Sequence, residues 1–308
     1  MGSLNWVKRG FLFKPNRNLW WQNTHAQNPT IEFLTDNILR VYFASRDFNN
    51  KSYTGYFDLN LCNMKIINVI DEPILKPDFE YEKDGVYPAT ILNIGNLKFL
   101  YYLGFISLGM GKFSATINLA FSEDGKKFYK YSNNPILGID EIDPVLVTNP
   151  YVIKNNNYYF MFYTSGIKYE EIYGELKAFY TIKLAISEDG INFKKTNKII
   201  FPLDDNQTAR TTRMSILKEG GLYRAWYTYG NIKDPGRKAY RIGYAESYDL
   251  YNWIRKDDEV GIDIGPEEYD NEMMAYPQVF KYKERYFMLY NGNNYGKDGI
   301  LYAVANNS

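Results

Sequence analysis

Apolar and polar residues alternate in short runs along the chain, as in Ile117-Asn118-Leu119-Ala120-Phe121-Ser122 and Ile182-Lys183-Leu184-Ala185-Ile186-Ser187. A period of two is the pattern of a strand with one buried face. Both runs end in Glu-Asp-Gly, at Glu123-Asp124-Gly125 and Glu188-Asp189-Gly190, and Ile242-Gly243-Tyr244-Ala245-Glu246-Ser247-Tyr248-Asp249 is a variant. The Asp-Gly pair supplies the positive φ of a tight turn. An aromatic follows each turn, at Phe128, Phe193 and Trp253, and a further strand is expected to begin there.

These strands recur in phase. A step from polar residues through Pro to β-formers occurs at Gln27-Asn28-Pro29-Thr30, Val86-Tyr87-Pro88-Ala89-Thr90, Thr148-Asn149-Pro150-Tyr151-Val152 and Ala275-Tyr276-Pro277-Gln278-Val279. Thr212-Arg213-Met214-Ser215-Ile216 holds the same place with Met for Pro, and the five copies are spaced by 59, 62, 64 and 63 residues. A second landmark, whose second residue follows 13 or 14 residues on, stands at Tyr42-Phe43, Tyr101-Tyr102, Phe162-Tyr163, Trp226-Tyr227 and Leu289-Tyr290. Turn residues such as Lys154-Asn155-Asn156-Asn157 lie between the two landmarks, so each copy reads as strand, hairpin, strand, then the alternating strand and its successor. Five four-stranded copies predict an all-β chain, a five-bladed β-propeller over residues 1–308 as one domain. The fifth copy stops at Leu301-Tyr302-Ala303-Val304-Ala305, after its third strand, while Trp6-Val7-Lys8-Arg9-Gly10-Phe11-Leu12-Phe13 precedes the first copy. That N-terminal strand is expected to complete blade five and close the ring. A pair of β-sandwiches also shows short strands and regular turns, but it does not explain five copies in phase.

Composition agrees. Aromatic residues make up 18% of the chain, which favours strands, and 45% hydrophobic against 23% charged residues is the balance of a globular fold. With 36 basic and 36 acidic side chains the net charge is zero, so nucleic acid is not an expected partner. Cys62 is the only cysteine, which removes a disulfide framework and any Cys-rich metal site. The chain has no run of about 18 apolar residues, the length a membrane helix needs. The expectation is a soluble, cytoplasmic protein without a membrane span.

In a propeller the innermost strands converge on the axis, so the residues leading into them share one opening. Here those residues are polar: His25, Gln27 and Asn28; Asp84 and Tyr87; Asp143 and Asn149; Arg210 and Arg213; Asp270, Glu272 and Tyr276. Such a convergence points to a binding site. Arg46, directly after the second strand of the first copy, joins Arg210 and Arg213 as a guanidinium fork suited to carboxylate or phosphate. An anionic sugar, either a uronic or nonulosonic acid or a sugar phosphate, is the expected ligand. Pairing with Asp47 is the structural alternative for Arg46. Tyr87, Tyr276, Trp20, Trp21 and Tyr295 offer flat faces for sugar rings, and the Ser-x-Asp turns at Ser122, Ser187 and Ser247 read as hairpin architecture. No motif calls for a metal or cofactor.

The Ser-Glu-Asp-Gly turns and the Asn-Pro or Tyr-Pro steps resemble the five-bladed propeller glycosidase superfamily, which holds arabinanases, xylosidases, invertases, levansucrases and mannoside phosphorylases. The segments Tyr269-Asp270-Asn271-Glu272-Met273-Met274-Ala275-Tyr276-Pro277 and Met288–Gly296 resemble an uncharacterised branch associated with bacterial surface-polysaccharide synthesis. The resemblance implies glycoside hydrolase-like chemistry on a carbohydrate or activated sugar. It also shows a departure, because Asn28 and Asn149 stand where such hydrolases place acids, and an amide can neither take a proton from water nor attack an anomeric carbon. Glycosyl chemistry needs two carboxyl groups about 5–10 Å apart. Glu272 as acid, desolvated by Met273, Met274 and Tyr276, and Asp84 as base or nucleophile are the preferred pair. For Asp84 the alternative is a turn residue beside Gly85, and for Glu272 a rim residue paired with an arginine. His25, Asn28, Arg46, Tyr87, Asp143, Asn149, Arg210, Arg213, Asp270 and Tyr276 are expected to hold substrate. A phosphorylase or transferase of surface-glycan assembly and a catalytically inactive carbohydrate-binding propeller are the alternatives.

Overall fold

The computed structural model describes residues 4–203, 210–231 and 239–306, and its regular structure is almost entirely β. After β1 (Val7–Phe13), the strands form successive antiparallel groups. The first is β2 (Thr24–Thr35), β3 (Ile38–Arg46), β4 (Ser52–Asn60) and β5 (Lys65–Val69), and the second is β6 (Gly85–Ile94), β7 (Leu97–Gly109), β8 (Lys112–Ser122) and β9 (Tyr129–Lys130). The third is β10 (Leu146–Asn155), β11 (Tyr158–Ile172), β12 (Glu175–Ser187) and β13 (Lys194–Ile199). The fourth is β14 (Arg210–Glu219), β15 (Leu222–Gly230), β16 (Arg241–Ser247) and β17 (Ile254–Arg255). The last is β18 (Ala275–Tyr282), β19 (Arg285–Asn291) and β20 (Ile300–Asn306), to which β1 adds with Val7 opposite Val304 and Phe13 opposite Ile300. β9, β13 and β17 each begin one residue after Phe128, Phe193 or Trp253.

The first strands of the groups form a closed circuit: β2 packs on β6, β6 on β10, β10 on β14, β14 on β18, and β18 on β2. The core follows the same circuit. One apolar cluster lies between each pair of successive groups, for example Tyr101, Ile117, Met161 and Tyr163 between the second and third. Phe13, Phe43, Phe57 and Phe287 fill the junction of the last group with the first. Every group therefore buries both faces, which explains why its strands need so many large apolar residues.

The polar-Pro landmark has a local physical meaning. Each first strand breaks register there, between Gln27 and Thr30, Pro88 and Thr90, Thr148 and Tyr151, Thr212 and Met214, and Ala275 and Gln278. In four of them the residue just before the landmark is left-handed: Asn28 (φ 55°), Asn149 (46°), Arg213 (44°) and Tyr276 (55°). A bulge leaves a residue without a ladder partner and re-aims the side chains around it. Proline suits that place because it has no N–H to leave orphaned.

Tyrosines at the second landmark are fixed by carboxylates in all five groups. Tyr42 donates to Glu32 at 2.8 Å, Tyr102 to Glu82 at 3.1 Å, Tyr163 to Asp143 at 2.9 Å, Tyr227 to Asp257 at 2.6 Å and Tyr290 to Asp270 at 2.9 Å. Each carboxylate also meets a cation: Glu32 meets Lys98, Glu82 Lys130, Asp143 both Lys183 and Lys195, Asp257 Arg255, and Asp270 Lys8. Asp143 and Asp270, expected to touch substrate, are fully buried inside these clusters. Their position before a first strand serves to cap the tyrosine 20 residues on, and Glu82 does the same in the second group. Burial alone would raise the Asp143 carboxyl, but hydrogen bonds from Lys183, Lys195 and Ser165 outweigh it and hold the group below its ordinary range.

Removing the carboxylate takes the counterion from Lys183, whose head is buried with it, while Lys195 keeps its pair with Asp140. Asp143→Ala is expected to lower the unfolding free energy by about 3 kcal/mol or more, read as a fall in the urea midpoint. A substrate-contacting Asp143 would leave that midpoint in place.

Candidate functional site

Three of these four left-handed residues, Asn28, Asn149 and Tyr276, open onto a cavity of about 420 Å³. Asn28, Tyr87, Asn149 and Tyr276 line it from four of the first strands, joined by Arg46 at the end of β3 and Arg210 at the start of β14. Amide and hydroxyl groups tie the floor together. Asn28 Nδ2 donates to Asn149 Oδ1 and Asn149 Nδ2 to Thr212 Oγ1, both at 3.0 Å, while the Asn28 N–H donates to Asn291 Oδ1 at 3.1 Å. The two asparagines thus fix each other across the circuit and hold their left-handed backbones, a conformation that asparagine tolerates better than most residues.

The charge of the cavity is one-sided. Arg46, Lys177 and Arg210 line it, and no carboxylate does among the described residues. Lys177 pairs with Glu175. Arg46 spends Nη2 on Gln27 Oε1 at 3.2 Å, and its buried Nε finds no partner among the described residues. Arg210 donates Nε to the Ala178 carbonyl at 3.0 Å and lies over the Tyr180 ring. Tyr276 and Tyr180 are neutral donors: burial, with the neighbouring Tyr295, Tyr180 and Tyr87, drives Tyr276 well above the usual phenol range, and burial pushes Tyr180 up to about 12.

Several expected site residues do not line the cavity. Arg213 is buried beneath it, donating to the carbonyls of Pro29 (2.7 Å) and Pro88 (3.3 Å) and to Thr30 Oγ1 (2.9 Å). It bridges the first strands instead of clamping a ligand. Burial lowers its guanidinium to about 10, still charged at neutral pH. His25 is buried, with Nδ1 2.9 Å from Thr24 Oγ1 and its N–H bound to the Lys297 carbonyl. Asp84 accepts the Ser107 N–H at 2.7 Å. Glu272 is exposed, and its own N–H is held by Asn293 Oδ1 at 3.0 Å. Neither carboxylate of the preferred pair is in the described lining. Trp21 is core, stacked on Phe43, and Trp20 bonds Glu72 at 2.9 Å, so neither presents a face to the cavity, whereas Tyr295 lines it.

Sequence reading missed Phe105, Phe113, Leu176, Tyr180 and Tyr240, all in the lining. The signal was length. The hairpins β7–β8 and β11–β12 have strands of 11 to 15 residues, longer than their counterparts in the other groups, and their extra turns stand beside the cavity.

His25 carries a measurable consequence. Burial first, then Arg46 and Lys297, lower its imidazole to about 3. Between about 6.5 and 3 the unfolded chain binds a proton that the folded chain refuses, so stability falls with pH across that window. The slope is up to about 1.4 kcal/mol per pH unit. His25→Asn keeps a residue tolerant of the φ of 64° and is expected to lack this component in urea titrations at pH 7 and 5. Equal pH dependence in the two proteins would refute it.

No family model matches the chain. Among solved structures, a protein described as a glycoside hydrolase aligns with a TM-score of 0.77 at 18% identity, over 100% of this chain and 93% of its own. A member of the GH130 family of mannoside phosphorylases aligns at 0.72 and 13% identity, over 100% and 97%. A Bombyx mori GH32 beta-fructofuranosidase mutant in complex with sucrose aligns at 0.66 and 15%, over 95% and 61%. At these identities the likeness is one of fold. Two Mycobacterium tuberculosis proteins, Uncharacterized protein MT1551 of strain CDC 1551 / Oshkosh and Uncharacterized protein Rv1502 of strain ATCC 25618 / H37Rv, are each 32% identical over 305 residues, spanning 98% of this chain and 99% of their own. The chain therefore belongs to the family of these uncharacterised mycobacterial proteins.

Proposed function

We propose that the five strand groups are the four-stranded blades of a single five-bladed β-propeller, and that the cavity at the mouth of its channel recognises a carbohydrate bearing an anionic group. The observation that carries this reading is the lining itself: arginines among aromatic rings and amides, with no carboxylate among the described residues. Guanidinium forks match carboxylate and phosphate oxygens, tyrosine faces suit the apolar side of a sugar ring, and the floor amides suit its hydroxyls. The glycosidase-like neighbours support carbohydrate as the ligand class. Fold alone does not specify chemistry.

Two fates for a bound sugar diverge on that same lining. A glycoside hydrolase-like enzyme would bring Glu272 and Asp84 to the bond from the loops before β18 and β6, as acid and base, with phosphorolysis or transfer as variants. The acid-free lining favours the other fate, recognition without hydrolysis by that pair.

Calorimetric titration with uronate, nonulosonate and phosphosugar ligands, beside their neutral counterparts, tests the assignment. The expected result is selective binding of an anionic member, weakened roughly tenfold to a hundredfold by Arg46→Met and unchanged in Glu272→Gln and Asp84→Asn. Neutral sugars binding as tightly as anionic ones would overturn the anionic reading. Turnover of aryl glycosides, with or without phosphate, that is lost in Glu272→Gln would restore the hydrolase-like one.

A further inference from the structure

The geometry points to an amphipathic ligand: an anionic head on the cavity floor, joined to an apolar chain that lies along the wall raised by the hairpins of the second and third blades. This inference deepens the anionic-ligand reading and rests on it. Floor and wall differ in kind. The floor carries Asn28, Asn149 and Thr212 with the guanidiniums of Arg46 and Arg210, while the wall carries Leu103, Phe105, Phe113, Ala115, Leu176 and Ala178. Strand geometry makes the wall continuous. Leu103 and Phe105 are two apart on β7, Phe113 and Ala115 two apart on β8, and Phe105 pairs with Ala115 across the ladder, so all four share one face. The Phe105 ring packs on Phe113 at 5.7 Å and on Tyr87 at 6.2 Å, carrying the apolar surface from the floor up the hairpin.

The wall is built in advance. Tyr169 on β11 latches the neighbouring hairpin through one residue, its hydroxyl accepting the Phe113 N–H at 3.0 Å and donating to the Phe113 carbonyl at 2.5 Å. Gly111, at the tip of β7–β8 with φ 75°, also lines the cavity and sits against the Leu176 carbonyl. Beside it Met110 is 97% exposed, an apolar side chain held in water at the outer end of the wall. A second sugar laid along this surface would meet six apolar side chains, with Lys177, already paired with Glu175, between Leu176 and Ala178, so most of its hydroxyls would gain no side-chain partner on that side. An alkyl or aryl chain needs none and gains from burial.

Alkyl phosphates separate the two parts of the claim without knowledge of the natural ligand. Inorganic phosphate, butyl phosphate and octyl phosphate are titrated calorimetrically into the full chain, alone and in competition. Inorganic phosphate is expected to bind, affinity to rise roughly twofold to fourfold per methylene over the first few carbons, and each alkyl phosphate to be displaced by inorganic phosphate. Leu176→Asn, a change to a partly buried wall residue, is expected to flatten the chain-length dependence and leave inorganic phosphate unaffected. If all three phosphates bind equally, the amphipathic assignment fails while the anionic reading stands. If octyl phosphate binds but inorganic phosphate does not displace it, the chain lies elsewhere and the assignment again fails. If none binds, the anionic reading fails and takes this inference with it.

Discussion

A carboxylate shared between a tyrosine hydroxyl and a cation recurs in every blade-like group, buried in four of them and half-buried at Asp257, and the remaining architecture depends on it. Buried charge is tolerable only when paired and hydrogen-bonded, and each of these acids satisfies both conditions. The tyrosine comes from the second strand, while the acid comes from a loop or a neighbouring strand, so the contact fixes connections to the sheet. Glu32 reaches Lys98 in the next group, and Asp270 holds Lys8 of the N-terminal strand that completes the last one. Ring closure is thus electrostatic as well as apolar.

Strain in the first strands couples fold to site. Four non-glycine residues in a row of equivalent positions adopt the left-handed region, at a cost of order 1 kcal/mol or more apiece. They persist because their neighbours over-determine them: Asn28 and Asn149 bond each other, Arg213 spans two carbonyls from other strands, and the Tyr276 N–H is taken by Thr228 Oγ1 at 2.8 Å. A regular strand would point alternate residues into the neighbouring groups. The bulge instead turns Asn28, Asn149 and Tyr276 into the cavity, and it places Arg213 below them as a fixed positive charge without a carboxylate counterion among the described residues. The cavity and the register breaks are one structural feature.

That link explains which parts were legible in the sequence. Strand periodicity, the five in-phase landmarks and the displaced N-terminal strand are local patterns, and the strand pairing matches them to within a residue at β9, β13 and β17. Site chemistry was harder because distance from a proline does not say where a side chain points. Asn149 and Asp143 both precede Pro150, yet one lines the cavity and the other is buried against lysines. Glu82 and Asp84 are two residues apart in one loop, and the buried, tyrosine-capping role belongs to Glu82. The spacing of 20 from acid to tyrosine in three groups was available in the sequence and separates these cases. Arg213 was legible as a polar residue at the axis, but its partners are main-chain carbonyls, which no residue pattern reveals. The hairpin wall was visible only as extra strand length.

The contrast between a hydrolase-like fold and this cavity can be argued from proton inventory. Acid–base cleavage of a glycosidic bond needs one group to give a proton and another to take one near neutral pH. Within the described lining the titratable side chains are arginines, a lysine and tyrosines, and Tyr276 and Tyr180 are held neutral by burial. The buried imidazole of His25, lowered to about 3, is a weak base and lies outside the lining. Tyr276, Tyr180 and His25 are therefore not poised to exchange a proton at pH 7. The same inventory suits recognition of an anion, because a neutral phenol donates a hydrogen bond, a guanidinium keeps its charge at any working pH, and no carboxylate in the described lining competes for either.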